Sequence, residues 1–391
     1  MTGARPGSLA LLYSTVLLMS LGHGMVFPTI PLLAASFGVS AGLAVQVVTA
    51  HALGRTVVLI PAGLLIDRYG AKAAMLAGSA LVLCGAFTTA VTPWFVLLFL
   101  GQFLAGVGDS VWSMAREVSG VEMVEQRQRG RLLSGFMGVK SAGTAIGPVL
   151  GGIVAQWVGF RAVFLSYAGA AALVLVTALL ARRDTVRGRV GKIAWWGKVS
   201  DVLPHLRATF VVLVIATFSM QMYRTTLQGM LPLFAGVELG FSAAQVGSLF
   251  GVSGLFVLLM ILPAGFITDR VGRKYASVPS TALPGIAFLA LPFAATLPQL
   301  VAIMVLIGLA QGMSLGALSV STYDVIPESA RGRLQGLRRT VGESGAVMGP
   351  LVGGWLADAF SAGRAFLFYA PILLGAAAGL AFVARETLGR E

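Results

Sequence analysis

The sequence predicts an all-α membrane protein of twelve transmembrane helices arranged as two pseudo-symmetric six-helix bundles. Three observations carry that prediction: a composition unsuited to water, apolar runs of about twenty residues, and an internal repeat with a constant offset. The 391 residues are 57% apolar and 11% charged, with a mean hydropathy of +0.87, whereas soluble domains carry roughly 25% charged residues. Too few charges are present to coat a water-soluble particle of this size, so the solvent is a lipid bilayer. One cysteine, Cys84, excludes an intrachain disulfide and a thiolate metal cluster.

The first apolar run, 9–37, follows Arg5 as a signal peptide would, yet it continues through Pro28 and Pro31 and reads as a retained helix. Runs at 42–66, 73–91, 94–118, 132–157 and 163–181 complete a set of six. A second set follows at 208–235, 242–267, 275–296, 298–322, 334–359 and 364–384. At about 1.5 Å per residue, most of these cross a hydrocarbon core about 30 Å thick. The expected organisation is an N-terminal bundle over 1–181, a cytoplasmic basic linker over 182–207 and a C-terminal bundle over 208–391. Trp195-Trp196 in the linker suits either a helix lying in the headgroup zone of the inner leaflet or a solvated connector.

The net charge of +13 is explained by placement. With a cytoplasmic N-terminus, 22 of the 28 cations fall on the cytoplasmic side, only Arg161 and Arg364 fall opposite, and four lie within spans. That asymmetry places both termini in the cytoplasm and removes the need for a nucleic-acid partner; the expected location is a bacterial inner membrane.

The repeat has an offset of 202 residues. Pro61-Ala62-Gly63, Asp67-Arg68, Gly70 and Lys72 recur as Pro263-Ala264-Gly265, Asp269-Arg270, Gly272 and Lys274, seven identities in twelve positions. Gly143, Gly147-Pro148 and Gly151-Gly152 recur as Gly345, Gly349-Pro350 and Gly353-Gly354. Six is even, so the two halves are parallel repeats related by an axis along the membrane normal.

These residues resemble the major facilitator superfamily. Gly63 to Lys72 is similar to the family's loop motif between its second and third helices, and Gly265 to Lys274 is the closer match because Arg273 fills a basic position that Ala71 leaves empty. The resemblance implies a cytoplasmic latch formed by Gly63, Asp67, Arg68, Gly70 and Lys72 and by their second copy, Gly265, Asp269, Arg270, Gly272, Arg273 and Lys274. Candidate acidic partners are Glu122 and Glu125, with Asp324 and Glu328 serving the second half. On physical grounds the glycines permit close helix approach and, at 70 and 272, a tight turn. The alternative reading of the basic residues is topological.

Gly143 to Gly152 resembles the fifth-helix motif of the drug:proton antiporter branch, where small residues flatten a helix face and Pro148 bends it. The copy at Gly345, Gly349, Pro350, Gly353 and Gly354 shows that the pattern also belongs to the repeat as ordinary packing. Gly22-His23-Gly24 and Pro28-Thr29-Ile30-Pro31 are similar to the same branch. Two departures stand out: the first helix holds no acid, and Gln102 occupies a place where the family commonly has arginine.

Ionisable side chains at membrane depth are expensive and mark function. Gln102, Asp109 and Arg116 are spaced by seven and share one helix face. Asp109 is a candidate proton carrier or a fixed partner of Arg116, Arg55 or Lys140. Glu343 is the deep acid of the second half, able to couple protons or to neutralise Arg338 or Arg339. His23 and His51 titrate near neutrality in water and complete the proton-coupling candidates. Arg55, Gln102, Arg116, Lys140, Gln221, Tyr223, Arg224 and Gln311 are substrate-cavity candidates.

No phosphate-binding loop is present, no nucleophile and base pair stands out, and His23, His51 and His205 lack metal-site spacing. Neither an enzyme nor a cofactor nor a metal is expected. The reading is a monomeric secondary transporter in the bilayer, exporting small hydrophobic or amphiphilic compounds by proton-coupled alternating access. The alternatives are a carrier of organic anions or lipid-like amphiphiles, and a non-transporting receptor or scramblase on the same scaffold.

Overall fold

The structure, a computed structural model, describes residues 6–124, 128–180, 199–314, 316–327 and 330–388. Glu125, Glu328 and most of the linker, 182–198, lie outside the described residues, as does the side chain of Glu122. The rest of the linker forms 3₁₀ turns at Val199–Asp201 and Pro204–Leu206. Arg207 secures them by donating to the carbonyls of Val202 and Ser200, both at 3.0 Å.

The described residues contain only helices and their connections. Ten helices are long and apolar enough to cross a membrane, and a pair bent by 44° at Val58, α3 (Ala41–Val57) and α4 (Leu59–Tyr69), makes eleven. The twelfth is α14 (Arg331–Ala359), whose 29 residues are long enough but which Arg338, Arg339 and Glu343 make too polar for a simple hydropathy test. The protein is therefore an integral membrane protein.

Several spans that read as single apolar runs are interrupted. In the first, α1 (Pro6–Val26) gives way to α2 (Thr29–Ala35) at Phe27-Pro28. Proline removes backbone donors there, and the Thr29 hydroxyl donates to the carbonyls of Val26 at 2.8 Å and Met25 at 3.3 Å. Further along lie α5 (Ala71–Val91), α6 (Phe95–Met123), α7 (Arg129–Trp157), α8 (Phe160–Leu180), α9 (Arg207–Pro232), α10 (Ala243–Phe266) and α11 (Arg273–Ala290). The next span is broken into α12 (Leu297–Ser314) and α13 (Ala317–Val325) by Gly316 at φ +92°. Its repeat, α6, carries Met114 at the equivalent place and runs unbroken, since a left-handed backbone is cheap only for glycine. The last span is α15 (Ala362–Ala365), a 3₁₀ turn, α16 (Ala370–Ala378) and a π-helical end at Gly379–Val383.

The chain forms two compact units, one of residues 1–191 with 241–251 and one of 192–240 with 252–391. In the first, α1 seats on α7 through glycines. A Cβ at Gly143 would lie 2.6 Å from Ser20 Cβ, one at Gly147 would lie 2.6 Å from the Leu21 carbonyl, and one at Gly151 would strike the Met25 backbone. Gly152 on the same helix meets the Ala243 carbonyl at the start of α10. The second unit repeats the device between α9 and α14: Gly345 faces the Phe218 backbone, Gly349 the Met222 carbonyl, and Gly353 the Met230 sulfur. Gly354 is buried beside it, and Tyr369 donates to the Gly349 carbonyl at 2.6 Å next to Pro350.

Candidate functional site

The charged centre of the first unit lies where α1, α3, α6 and α7 meet. Glycines again set the approach: a Cβ at Gly54 would strike the Phe103 backbone, and one at Gly106 the His51 backbone, so α3 and α6 press together along this line. Asp109 is the central residue of α6, Arg55 is the central residue of the bent span α3–α4, and His23 and Lys140 lie within one turn of the middles of their spans. Four separate helices thus deliver ionisable groups to one depth.

The Arg55 guanidinium meets the Asp109 carboxylate, Nε to Oδ2, at 3.6 Å. His23 lies against Phe27, ring centres 4.4 Å apart and planes tilted by 58°, and its ring centre is 5.6 Å from that of His51. His51 is 2% exposed, and neither of its ring nitrogens has a hydrogen-bond partner among the described residues. A small cavity of about 30 Å³ collects His23, Arg55, Asp109, Trp112, Arg116 and Lys140 with Ser20, Ser113 and Thr144. That space holds roughly two waters.

The histidine spacing in the sequence argued against metal, but folding brings His23 and His51 together with Asp109, their ligand atoms all within 4.8 Å of one another. Two imidazoles and a carboxylate are a donor set that suits zinc. Arg55 on the same carboxylate and Lys140 on the same cavity oppose a dication there by like-charge repulsion.

Arg116 lines the cavity but is already engaged. It pairs with Glu117 at 3.3 Å and lies over the rings of Trp112 at 5.3 Å and Phe136 at 4.7 Å. Gln102 lies at the edge of this centre rather than on the cavity: it is 1% exposed, donates to Thr89 Oγ1 at 3.0 Å in the seam between α5 and α6, and sits against the His51 side chain. It shares a helix face with Asp109, but two turns along that face α5 replaces the cavity, since Gly85 and Gly101 let the two backbones touch.

In the second unit, Arg224 donates to Ser314 Oγ at 2.7 Å and reaches Gln221 Oε1 at 3.5 Å. Gln311 lies on α12, one turn before Ser314, whose hydroxyl donates to the Gln311 carbonyl at 2.7 Å. Tyr223 is fully buried, edge-on to Phe288 at 6.1 Å in an aromatic core. Its hydroxyl lies beside the side chains of Arg224 and Gln311. Glu343 and Gln221 face a separate cavity of about 420 Å³ within this unit, with Thr217, Tyr323, Arg338 and Arg339. Arg338 makes no ion pair with Glu343 among the described residues; it donates to Gln335 at 3.1 Å, Thr217 at 3.3 Å and Ser319 at 3.1 Å.

A sequence profile described as the Major Facilitator Superfamily matches residues 12–214 and again 213–390. The chain belongs to this superfamily. It is 27% identical over 386 residues to the multidrug resistance protein MdtH of Klebsiella pneumoniae (strain 342), covering 94% of this chain and 90% of that protein. To MdtH of Salmonella arizonae it is 26% identical over 306 residues, 76% of this chain and 72% of the relative. Among solved structures it is similar to a D-xylose-proton symporter, with TM-score 0.79, 16% identity and 99% and 100% coverage of the two chains. A peptide transporter POT in complex with sulfate gives TM-score 0.80 at 14% identity, with 97% and 94% coverage. As a member of the major facilitator superfamily the chain is a secondary transporter, and its relatives are transporters rather than enzymes.

The two copies of the superfamily's loop motif differ in their bonding. In the second, Arg273 donates to Asp269 at 2.9 Å, to Asp324 at 3.1 Å and to the Thr268 carbonyl at 2.7 Å. Lys274 Nζ reaches the Ala381 carbonyl at 2.8 Å, while Arg270 lies over the Phe266 ring at 5.5 Å. In the first copy Ala71 replaces the arginine; Lys72 donates to the Leu179 carbonyl at 3.3 Å, and Arg68 lies over Tyr69 at 5.3 Å beside the half-buried Asp67. Gly70, at φ +87°, and Gly272, at φ +149°, make the turns. Gly63 and Gly265 do not serve close packing here, because a Cβ on either meets nothing within 4 Å.

Sequence reasoning missed Glu386, whose carboxylate accepts from the backbone N–H groups of Arg273 at 2.9 Å and Lys274 at 3.1 Å. It caps α11 from more than a hundred residues away, and no local pattern announces such a contact. Burial pushes this carboxyl up, but the N–H groups of Leu388, Lys274, Arg273 and Thr387 outweigh it and hold the group below its ordinary value of 4.5.

Proposed function

We propose that this chain exports small hydrophobic or amphiphilic compounds across a bacterial inner membrane by proton-coupled alternating access. Both termini lie in the cytoplasm, and a single copy works in the bilayer with the proton and the small molecule as its ligands. The observation that carries the reading is the ionisable centre built on Asp109. The carboxylate faces His23 from α1, His51 and Arg55 from α3, Arg116 from its own helix, Lys140 from α7 and Tyr167 from α8. The fold does not demand this centre: adding 202 turns His23, His51, Arg55, Asp109 and Lys140 into Thr225, Ser253, Val257, Gln311 and Gly342. Not one of the five is ionisable in the second copy, so the charges are kept for work rather than for packing.

Asp109 exchanges its proton in this reading, with the Arg55 contact opening and closing as it does so. The basic asymmetry of the connections supports the orientation, and the name of the MdtH relatives supports drug-like cargo. The loop motifs act as the cytoplasmic latch, and the glycine faces of α7 and α14 as tight helix seams. The test is gradient-driven transport in proteoliposomes. Asp109→Asn is expected to abolish dependence on the proton gradient while leaving helical content and thermal unfolding close to wild type. Wild-type transport with wild-type pH dependence in that variant overturns the reading.

A further inference from the structure

The charge sum of the centre in the first unit does not close. Arg55, Arg116 and Lys140 face Asp109 and Glu117, three cations against two carboxylates, and the two histidines can only add to the positive side. Glu117 is spent on Arg116. The remaining carboxylate, Asp109, is shared imperfectly, because Arg55 Nε approaches it at 3.6 Å and makes no hydrogen bond. Lys140 has no ion pair among the described residues, and it is exposed rather than packed away, while the Arg55 side chain is 35% exposed. Two cations at mid-span depth are thus reachable and short of one negative charge.

Ionisable side chains at that depth face a partner or a water-filled cavity and mark ligand pathways, and Arg55 and Lys140 both line this cavity. The packing of the repeat shows that none of these groups is needed to hold the helices together, since Val257 and Gly342 stand in for Arg55 and Lys140 in the second unit. The space lined by both, about 30 Å³, has room for a group as compact as a carboxylate.

We propose that this cavity is a headgroup site for a single compact anion, preferentially a carboxylate, held between Arg55 and Lys140, so that the cargo is an amphiphile with an anionic end. The hydroxyls of Ser20 and Ser113 line the same space and can donate to the second oxygen, whereas Thr144 already donates to the carbonyls of Lys140 and Ser141. The apolar remainder of the cargo stays outside the cavity. This assignment rests on the transport reading above, but it is tested by binding alone, without any gradient.

The probes are 2-naphthoate and its neutral isostere 2-naphthamide, titrated against the purified full-length protein in nanodiscs of zwitterionic lipid, with Trp112 on the cavity wall contributing to the fluorescence readout. Naphthoate is expected to bind about tenfold tighter than naphthamide. Lys140→Gln should bring the two affinities to within about twofold, and Lys140→Arg, which keeps the charge, should restore the preference. A decanoate arm against phosphatidylglycerol added to the nanodisc separates a free anion from a lipid headgroup: competition by decanoate supports the proposal, and competition by the lipid alone overturns it in favour of a lipid site. Equal affinities in the wild type, or a preference that survives in both Lys140→Gln and Arg55→Gln, also overturn it. If the preference holds while gradient-driven export is absent, the headgroup site stands and the export reading falls.

Discussion

Gly147→Ala tests the packing logic in the middle of the seam between α1 and α7. The added carbon would sit 2.6 Å from the Leu21 carbonyl oxygen and 2.8 Å from Gly24 Cα, whereas comfortable carbon contacts lie at about 3.5–4.0 Å. Both obstacles are backbone, so no side-chain rotation relieves them and α1 must retreat by roughly an ångström. Gly143 and Gly151 pin the same two helices one turn to either side, which prevents a local bend from absorbing the shift. Overpacking of this kind costs about 1–3 kcal/mol, partly offset by the better helix propensity of alanine, about 1 kcal/mol. The net loss lies within about 0–2 kcal/mol, toward the upper end because both obstacles are backbone. Gly63→Ala is the control: it lies inside α4 with nothing within 4 Å of the new carbon, so it should be neutral or slightly stabilising. Thermal unfolding in one detergent, followed by helical circular dichroism, reads the difference. The reasoning fails if Gly147→Ala melts with the wild type, or if Gly63→Ala is lowered equally.

Two further outcomes follow from groups the tertiary structure places off the cavity or outside the spans. Gln102→Leu removes one hydrogen bond to Thr89, whose hydroxyl keeps its bond to Gly85 at 2.9 Å, and also removes a buried amide oxygen that has no partner. Stability should change by less than about 1.5 kcal/mol; a larger loss in the melting of the purified variant would show that the amide does more than bridge α5 and α6. For Glu386, the folded value lies below the ordinary 4.5, so its contribution is complete above that pH and is lost as pH falls through the folded value. Glu386→Gln should therefore melt below the wild type at pH 7, and the two should converge on acidification below about 4.5. A gap that stays constant from neutral to acid pH would show that the carboxylate charge plays no part in the cap.

The fold was legible because the bilayer writes it in composition: every span must be helical and apolar, and cations must collect on one side. The 202-residue repeat was legible for a related reason, since glycine faces and left-handed turn glycines are backbone requirements that both halves share. Asp109, Arg55, Lys140 and His23 were legible as ionisable residues inside apolar runs. Their company was not. A heptad put Gln102 on the face of Asp109, but the closeness of α5 two turns away decided that Gln102 would be buried against Thr89. Sequence spacing kept His23 and His51 apart, while the Gly54 and Gly106 contacts and the docking of α1 on α7 brought them to 5.6 Å.

What the sequence determined alone is the membrane, the helices, the repeated half and the short list of ionisable residues, because these follow from local chemistry and from counting. What only the tertiary structure decided is which of those residues meet. Ion pairing and hydrogen bonding act over a few ångströms, and positions separated by dozens of residues come that close only through helix packing. The pairing of Asp109 with Arg55, the diversion of Arg116 to Glu117 and the open ammonium of Lys140 are results of that packing. So is the Glu386 cap on α11, formed across more than a hundred residues of chain.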